Sequence, residues 1–338
     1  MNIYLKKLID QSSLTFNEAI DLMNNIVSGS INDIKLSSIL TSLAIKGEST
    51  NELMGFAQVM HELSIKVPIR SIRSAVDVVG TGGDGLNTFN ISTTSAFVAA
   101  GCGVTIAKHG NRSSSGLFGS ADLLEALGVN LTMTPEQVGN CIDELGIGFM
   151  FAPNHHPAMK HVRQVRKDLG FRTIFNLLGP LTNPSNTKQQ LIGVFNKKWM
   201  RPMAECFKSF GSKHCLIVNA EDGLDELSCF STNNIIELKN NQLMEYTLDP
   251  DEFDLESTRF NDIVISNIKD SVEIFHDILS GKHGAARNIV LLNAGATVYC
   301  SGLAESIADG IAQAKISIDS GKAKKCFENL LKRSNNVN

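Results

Sequence analysis

Apolar residues keep a helical spacing up to residue 70 and change texture beyond it. Ile3, Leu5, Leu8 and Ile9 give an approximate stripe of the kind that one buried helix face needs. Thr15-Phe16-Asn17-Glu18 is a capping-box pattern, a hydroxyl for the helix's first free N–H groups and a carboxylate three residues on to return the bond. The helix it predicts carries Ile20, Met23, Ile26 and Val27 on one face, with Gly29 past its end. Leu36, Ile39, Leu40 and Leu43 predict a third helix closed by Gly47. Ser49-Thr50-Asn51-Glu52 opens a fourth, through Leu53, Phe56, Met60 and Leu63. No strand pattern interrupts these segments. Residues 1–70 are expected to form a small all-helical domain without a catalytic constellation.

From Val76 onward short apolar runs alternate with helical patterns. The runs predict strands at Ala75–Val79, Val104–Ala107, Ile147–Ala152, Cys215–Val218, Ile235–Leu238, Leu243–Leu248 and Ile289–Asn293. Helices are predicted after the hydroxyl-rich Asn90–Ser95, over Ser120–Leu127, from Thr134-Pro135-Glu136, from Pro157 to Gly170, over Arg172–Leu178, over Ala304–Ile318 and over Gly321–Leu331. The tail from Ser334 reads as frayed. This alternation predicts a larger α/β domain, residues 71–338, with a largely parallel central sheet flanked by helices.

Candidate chemistry falls in three places. Gly80-Thr81-Gly82-Gly83-Asp84-Gly85 follows the first strand, and Lys108-His109-Gly110-Asn111-Arg112 follows the second. A glycine loop brings bare N–H groups close to a ligand, and a helix N-terminus favours an anion, so strand, loop, hydroxyl-rich helix start, strand and basic loop point to polyphosphate. The spacing is neither the dinucleotide fingerprint nor a Walker A loop. Asp222-Gly223-Leu224-Asp225-Glu226 places adjacent carboxylates just past a strand. Alone it is a solvated acidic turn; beside a phosphate loop it suits magnesium, a hard cation with oxygen ligands. His155 and His156 precede a helix carrying Arg163 and Arg166. If that helix starts at Pro157, Arg166 lies about 13 Å along it, so either the helix bends or these residues line successive stages of a channel.

Composition removes several classes. With 338 residues and a formal charge of −4, no basic face marks a nucleic-acid binder. Seven scattered cysteines without a CxxC pair fit neither a disulfide framework nor a metal cluster, and suit a reducing cytoplasm. The N-terminal stretch lacks signal-peptide character, and no apolar run reaches membrane-spanning length.

GTGGDGLNTFNIST at 80–93, KHGNRSSSGLFGSADLLEALG at 108–128, HHPAMKHVRQVRKDLGFRTIFNLLGPLTNP at 155–184 and GLDELS at 223–228, with the alanine-rich pattern from Asn293, resemble the anthranilate phosphoribosyltransferases of tryptophan biosynthesis in order and spacing. The resemblance runs over essentially the whole chain. It implies a helical domain joined, around residues 165–185, to the α/β domain, a homodimer formed through the helical domain, and a cleft for phosphoribosyl pyrophosphate and two magnesium ions. Lys108 and His109 would be the catalytic residues. Gly80, Gly83, Asp84, Thr88, Asn90, Ile91, Ser92, Thr93, Lys108, His109, Gly110, Asn111, Arg112, Ser113, Ser114, Ser115, Gly116 and Ser120 would hold phosphoribosyl pyrophosphate. Ser92, Asp225 and Glu226 would take the metal, and Gly80, His109, Asn111, Pro153, His156 and Arg166 would meet anthranilate along a tunnel. Gly116-Leu117-Phe118 departs from the family, which commonly carries a serine and small or basic residues there, so that hydroxyl's phosphate contacts are not carried over. Pyrimidine nucleoside phosphorylases share the fold and similar loops but generally add a C-terminal domain. A nucleic-acid-binding relative fits poorly with the net acidity, and a transferase for another aromatic amine or acid differs only in tunnel shape.

Overall fold

The structure is a computed structural model that describes residues 2–70, 74–113, 117–255 and 259–336. Four helices open the chain: α1 (Asn2–Ile9), α2 (Phe16–Val27), α3 (Asp33–Lys46) and α4 (Thr50–Glu62). Both capping boxes form. Thr15 Oγ1 accepts from Glu18 N–H at 3.3 Å while Glu18 accepts from Thr15 N–H at 2.9 Å, and Ser49 and Glu52 repeat the exchange. The bundle is not closed by these helices alone. Val162, Val165, Ile174, Phe175, Leu177 and Leu178, from two later helices, join Leu22, Leu40, Leu43 and Phe56 in one core.

The remaining elements are β1 (Val76–Gly80), α5 (Ile91–Gly101), β2 (Ile106–Gly110), α6 (Ser120–Ala126), α7 (Pro135–Leu145), β3 (Ile147–Phe151), α8 (Ala152–His155), α9 (Lys160–Leu169) and α10 (Ile174–Leu178). They continue with β4 (Gln189–Gly193), α11 (Met200–Ser209), β5 (His214–Ala220), β6 (Asn233–Lys239), β7 (Gln242–Leu248), α12 (Ile268–Leu279), α13 (Ala285–Ser301), α14 (Ile307–Asp319) and α15 (Lys322–Asn335). One sheet runs β3-β2-β1-β4-β5-β6-β7, parallel through β5 and antiparallel beyond it. Helices α5, α13, α14 and α15 cover one face, and the bundle with α10 and α11 covers the other. The chain builds outward from β1 in both directions, so the order reverses between β1 and β4. In open α/β sheets that reversal marks the ligand crevice, at the carboxyl ends of the strands. No helix among the described residues is long and apolar enough to cross a membrane.

Several expectations are corrected. Ile289–Asn293 is not a strand but the middle of α13, a helix buried nearly all round, where a continuous apolar run carries no periodic signal. Strand β4 was not predicted, because it opens on Gln189 and Gln190. Strand β2 starts two residues later than expected and includes Lys108, His109 and Gly110, which are strand residues and not loop. The chain does not form one helix from Pro157: His156 is non-helical, a 3-10 turn follows at Pro157–Met159, and α9 begins at Lys160. Helix α10 starts at Ile174 rather than Arg172, and α14 at Ile307 behind its Ser306 cap rather than at Ala304. Ser334 and Asn335 are not frayed. They complete α15, and the buried Ser334 Oγ accepts from Asn130 N–H at 3.2 Å.

Candidate active site

The site grows from two glycines. Gly80 and Gly193 pair in register at the carboxyl ends of β1 and β4. A Cβ on Gly80 would lie 2.6 Å from Asp225 Oδ2, and one on Gly193 only 1.5 Å from the Asp225 backbone oxygen. The turn after β5 therefore lies directly on the two strand ends. Gly82 N–H donates to Asp225 Oδ2 at 2.6 Å, from a loop in which Gly82, Gly83 and Gly85 all take positive φ. On the far side of the turn, Asn293 of α13 accepts from Leu227 N–H at 3.0 Å and donates to Leu227 O at 2.8 Å. Glu226 is thus held between two fixed points.

The charges gathered here do not balance. Burial pushes the Asp225 carboxyl up to about 7, with the Asp84 charge adding to it. Burial and the Asp225 charge push Glu226 up to about 8, against the pull of Lys108. Lys108, buried in β2, donates to the Val78 carbonyl and to Ser92 Oγ at 3.2 Å; burial lowers its pKa while Asp77 and Glu226 hold it up. One ammonium stands among four carboxylates, Asp77, Asp84, Asp225 and Glu226, an arrangement that calls for a further cation. Among the described residues no three His, Cys, Asp or Glu side chains converge as an all-protein cage. Magnesium fits such a donor set, because it binds through one or two carboxylates and takes water and substrate phosphate for the rest.

The opposite wall is the start of α5. Ile91, Ser92 and Thr93 form its first turn, and Asn90 gives it no side-chain cap. Asn90 instead donates to Phe118 O at 3.3 Å and accepts from Ser271 Oγ at 3.0 Å, and Thr88 bridges to Val264. Asn90 therefore leaves this helix end without a side-chain cap, an end that favours an anion. Thr93 Oγ1 is buried without a partner. Beyond β2, a Cβ on Gly110 would lie 2.2 Å from Ser120 Oγ, which donates to Asn111 O at 3.2 Å. Arg112 does not turn toward the glycine loop. Its guanidinium pairs with Asp122 at 2.9 Å and Glu125 at 2.7 Å on α6. Asp122 also accepts from Ser113 N–H at 3.1 Å and Gly119 N–H at 2.8 Å, so the start of α6 carries its own anion. Ser114, Ser115 and Gly116 lie outside the described residues.

His109 and His156 pack with ring centroids 5.2 Å apart and planes tilted by 56°, both buried. His109 Nε2 and both ring nitrogens of His156 lack hydrogen-bond partners. Burial drives the His109 pKa well below its ordinary range, and His156 and His155 reinforce the shift. Burial takes His156 down to about 4. The pair is neutral at neutral pH. His155 has a different task, its Nδ1 meeting Ile65 O at 3.1 Å. Pro153 lies in α8, just ahead of these rings. Arg166 sits part-buried on α9 with its guanidinium over the Phe175 ring at 5.4 Å, and burial lowers its pKa. Among the described residues no carboxylate pairs with it. Arg163, by contrast, is exposed.

Sequence reasoning missed three supports. Asp77 is fully buried in β1, accepting from His109 N–H at 3.0 Å and from Asn183 Nδ2 at 2.7 Å, and burial pushes its carboxyl up to about 6. Asn183 also donates to Ala107 O at 3.0 Å. Asn293 is the third. The only signal available was an acid inside an apolar strand, Val76-Asp77-Val78-Val79.

A glycine-floored crevice for phosphate, an acidic turn and a sheet reversed at that point are the marks of a group transferase acting on a phosphorylated sugar. The chain matches the glycosyl transferase family a/b domain over residues 73–324 and that family's helical bundle domain over residues 2–64. It belongs to this glycosyl transferase family and, within it, to the anthranilate phosphoribosyltransferases. The anthranilate phosphoribosyltransferase of Methylobacillus flagellatus is 49% identical over 94% of each chain. Among solved structures, the anthranilate phosphoribosyltransferase of Thermus thermophilus superposes with a TM-score of 0.92 at 38% identity, covering 98% of this chain and 99% of its own. That of Saccharomyces cerevisiae, in complex with PRPP (phosphoribosyl pyrophosphate) and Mg, gives 0.90 at 28%, covering 99% and 97%.

Proposed function

We propose that this chain transfers the phosphoribosyl group of phosphoribosyl pyrophosphate to the amine of anthranilate, releasing pyrophosphate, the second step of tryptophan biosynthesis from chorismate. The observation that carries the reading is the pairing of two unlike half-sites. One is an acidic, glycine-floored crevice at the β1/β4 reversal, and the other is a neutral histidine pair with a half-buried arginine that has no counter-ion among the described residues. A diphosphate ester with its magnesium satisfies the first, and a small aromatic carboxylate satisfies the second.

The Gly80–Gly85 loop and the open start of α5 hold the phosphates through backbone N–H groups, with Asp84, Thr88, Asn90, Ser92, Thr93 and Ser120 around them. Asp225, Glu226 and Ser92 would hold magnesium, two ions in our reading, and when bound it would supply positive charge beside the departing pyrophosphate. Lys108, locked between Val78 O and Ser92 Oγ, adds a fixed cation on the same side. Arg112 acts through α6, by pairing with the Asp122 and Glu125 carboxylates. Arg166 takes the anthranilate carboxylate, and His109, His156, Asn111 and Pro153 place the ring. The aromatic amine is already a nucleophile, so positioning suffices and no covalent enzyme intermediate is needed. His109 is neutral with a free Nε2, suited to orienting the amine.

The α9–α10 segment, around residues 165–185, joins the two domains, because its apolar side chains belong to the bundle core while Arg166 serves the site. A homodimer through the helical domain is supported by the exposed Ile3, Ile9, Ile34 and Ile45. A cytoplasmic location is supported by cysteines that are all free. The test is loss of anthranilate fluorescence on mixing purified protein with phosphoribosyl pyrophosphate and magnesium. No loss above the protein-free rate would end the proposal.

A further inference from the structure

A second cavity lies between α4 and α11, at the amino-terminal ends of β4 and β5 and therefore at the opposite edge of the sheet from the glycine loop. It offers about 230 Å³, partly open to solvent, and none of the residues assigned above to substrate or metal lines it. Pro180, Leu181, Phe207 and Phe210 make an apolar wall.

Facing that wall are three donors with capacity to spare. Lys188 Nζ donates to Asn186 Oδ1 at 3.0 Å and to Phe210 O at 2.9 Å, both neutral acceptors, and among the described residues no carboxylate pairs with it. An ammonium has three hydrogens, so one remains. Thr187 is buried, and its Oγ1 has no partner. His61 Nδ1 lies 3.2 Å from Lys66 Nζ. Since an ammonium only donates, Nδ1 accepts, and the neutral ring carries its hydrogen on Nε2. That Nε2 is buried with no partner in good hydrogen-bonding geometry, and the Asn186 side chain beside the ring pulls its pKa upward. Burial holds the His61 pKa down at about 4, so the ring is neutral. The one acid at the rim, Glu62, is exposed and already accepts from Gln58 Nε2 at 2.8 Å.

We propose that this cavity is a second ligand site for a small aromatic monocarboxylate. Its carboxylate would lie on Lys188, Thr187 and His61, and its ring against Phe207, Phe210 and Leu181. Buried donors without partners are disfavoured unless something accepts from them, and one unpaired cation matches one negative charge. A dianion would leave a charge stranded against the phenylalanines. Size agrees: a cavity of about 150 Å³ takes benzene, and this one leaves about 80 Å³ more for the carboxylate. The site also touches the reacting side of the molecule. Asn183 lines the cavity and donates to Asp77, which in turn accepts from His109 N–H.

The experiment is calorimetric titration of the full chain with benzoate, which has no amine to react. It is made in an Arg166→Ala background, so that the proposed anthranilate position does not compete. One saturable site is expected there. Adding Thr187→Val, an isosteric change, or Lys188→Met should weaken it about tenfold or more. Melting curves accompany each variant, and should Lys188→Met fail to fold, Thr187→Val alone decides. Absence of saturable binding in the Arg166→Ala protein, or equal affinity with and without Thr187→Val, overturns the proposal. Neither result bears on the transferase assay, which uses the unmodified chain.

Discussion

Arg166→Met should make the free protein no less stable while removing its use of anthranilate. The guanidinium is part-buried, touches the Phe175 face at 5.4 Å and has no carboxylate partner among the described residues. Its stacking on Phe175 contributes about 0.5–1 kcal/mol, which the methionine's own aromatic contact largely replaces. Against that, an unpaired cation half out of water is held at a penalty that disappears with the charge. The balance is a gain of about 1 kcal/mol, or roughly 1–2 °C in melting temperature for a chain of this size. Losing charge-assisted hydrogen bonds to a carboxylate removes about 1.5–3 kcal/mol from the anthranilate side, roughly ten- to a hundredfold in kcat/KM. Arg166→Lys should recover little, because lysine cannot reproduce the planar fork. The assays are scanning calorimetry of the free protein and steady-state kinetics with each substrate varied in turn. A melting temperature several degrees lower, with both substrates' constants worsened alike, would show that Arg166 is structural. Unchanged anthranilate kinetics would remove it from the site.

Three further perturbations follow from particular contacts. Gly193→Ala places a Cβ 1.5 Å from the Asp225 carbonyl oxygen, so the acidic turn must move and the Gly82–Asp225 hydrogen bond breaks. Magnesium dependence should shift about tenfold or more, and calorimetric magnesium affinity matching the unaltered chain would refute the argument. His156, ordinarily near 6.5, is held at about 4 by burial, so its neutral form stabilises the fold fully above pH 6.5, and that contribution is lost as pH falls toward 4. Denaturant unfolding should show about 3 kcal/mol of loss from this group, and His156→Gln should reduce the pH slope by that share while the other buried histidines keep theirs; an equal slope in both proteins would speak against it. Asn183→Leu removes the donor from the buried Asp77 Oδ2 and from the Ala107 carbonyl and should destabilise by about 1–3 kcal/mol in urea unfolding, whereas a change below about 0.5 kcal/mol would mean water replaces it.

What the sequence disclosed was mostly local. Thr15–Glu18 and Ser49–Glu52 were legible because a capping box spans four residues and needs no knowledge of the rest of the fold. The glycine loop and the Asp225-Glu226 turn were legible as separate pieces, and the structure shows the contact that joins them. Hidden features depended on distant partners. Strand β2 continues through Lys108 and His109 because their polar groups find Val78 O, Ser92 Oγ and Asp77, and no propensity carries that information. Strand β4 opens on two glutamines, yet it lies at the centre of the sheet and Gln190 is buried, its amide answered by Pro180 O at 3.1 Å. Residues 289–293 misled for the opposite reason: Ile289 to Leu292 are consecutive apolar residues in a helix buried nearly all round, so neither period stands out.

The arrangement also explains why the bundle is not a separate accessory. The phosphate side rests on strand ends and on the α5 start, all within one sheet layer, and is rigid as the sheet is rigid. The aromatic side is assembled from three sources: His109 from β2, His156 from the break before α9, and Arg166 from α9 itself. Val162 and Val165, on the inner face of that same helix, are buried in the bundle core with Leu40 and Phe56. Arg166 is thus placed by the helical domain and His109 by the sheet, and the distance between them is set by how the two pack. Where one substrate's position depends on a single layer and the other's on two, packing changes in the bundle act on the aromatic acid first.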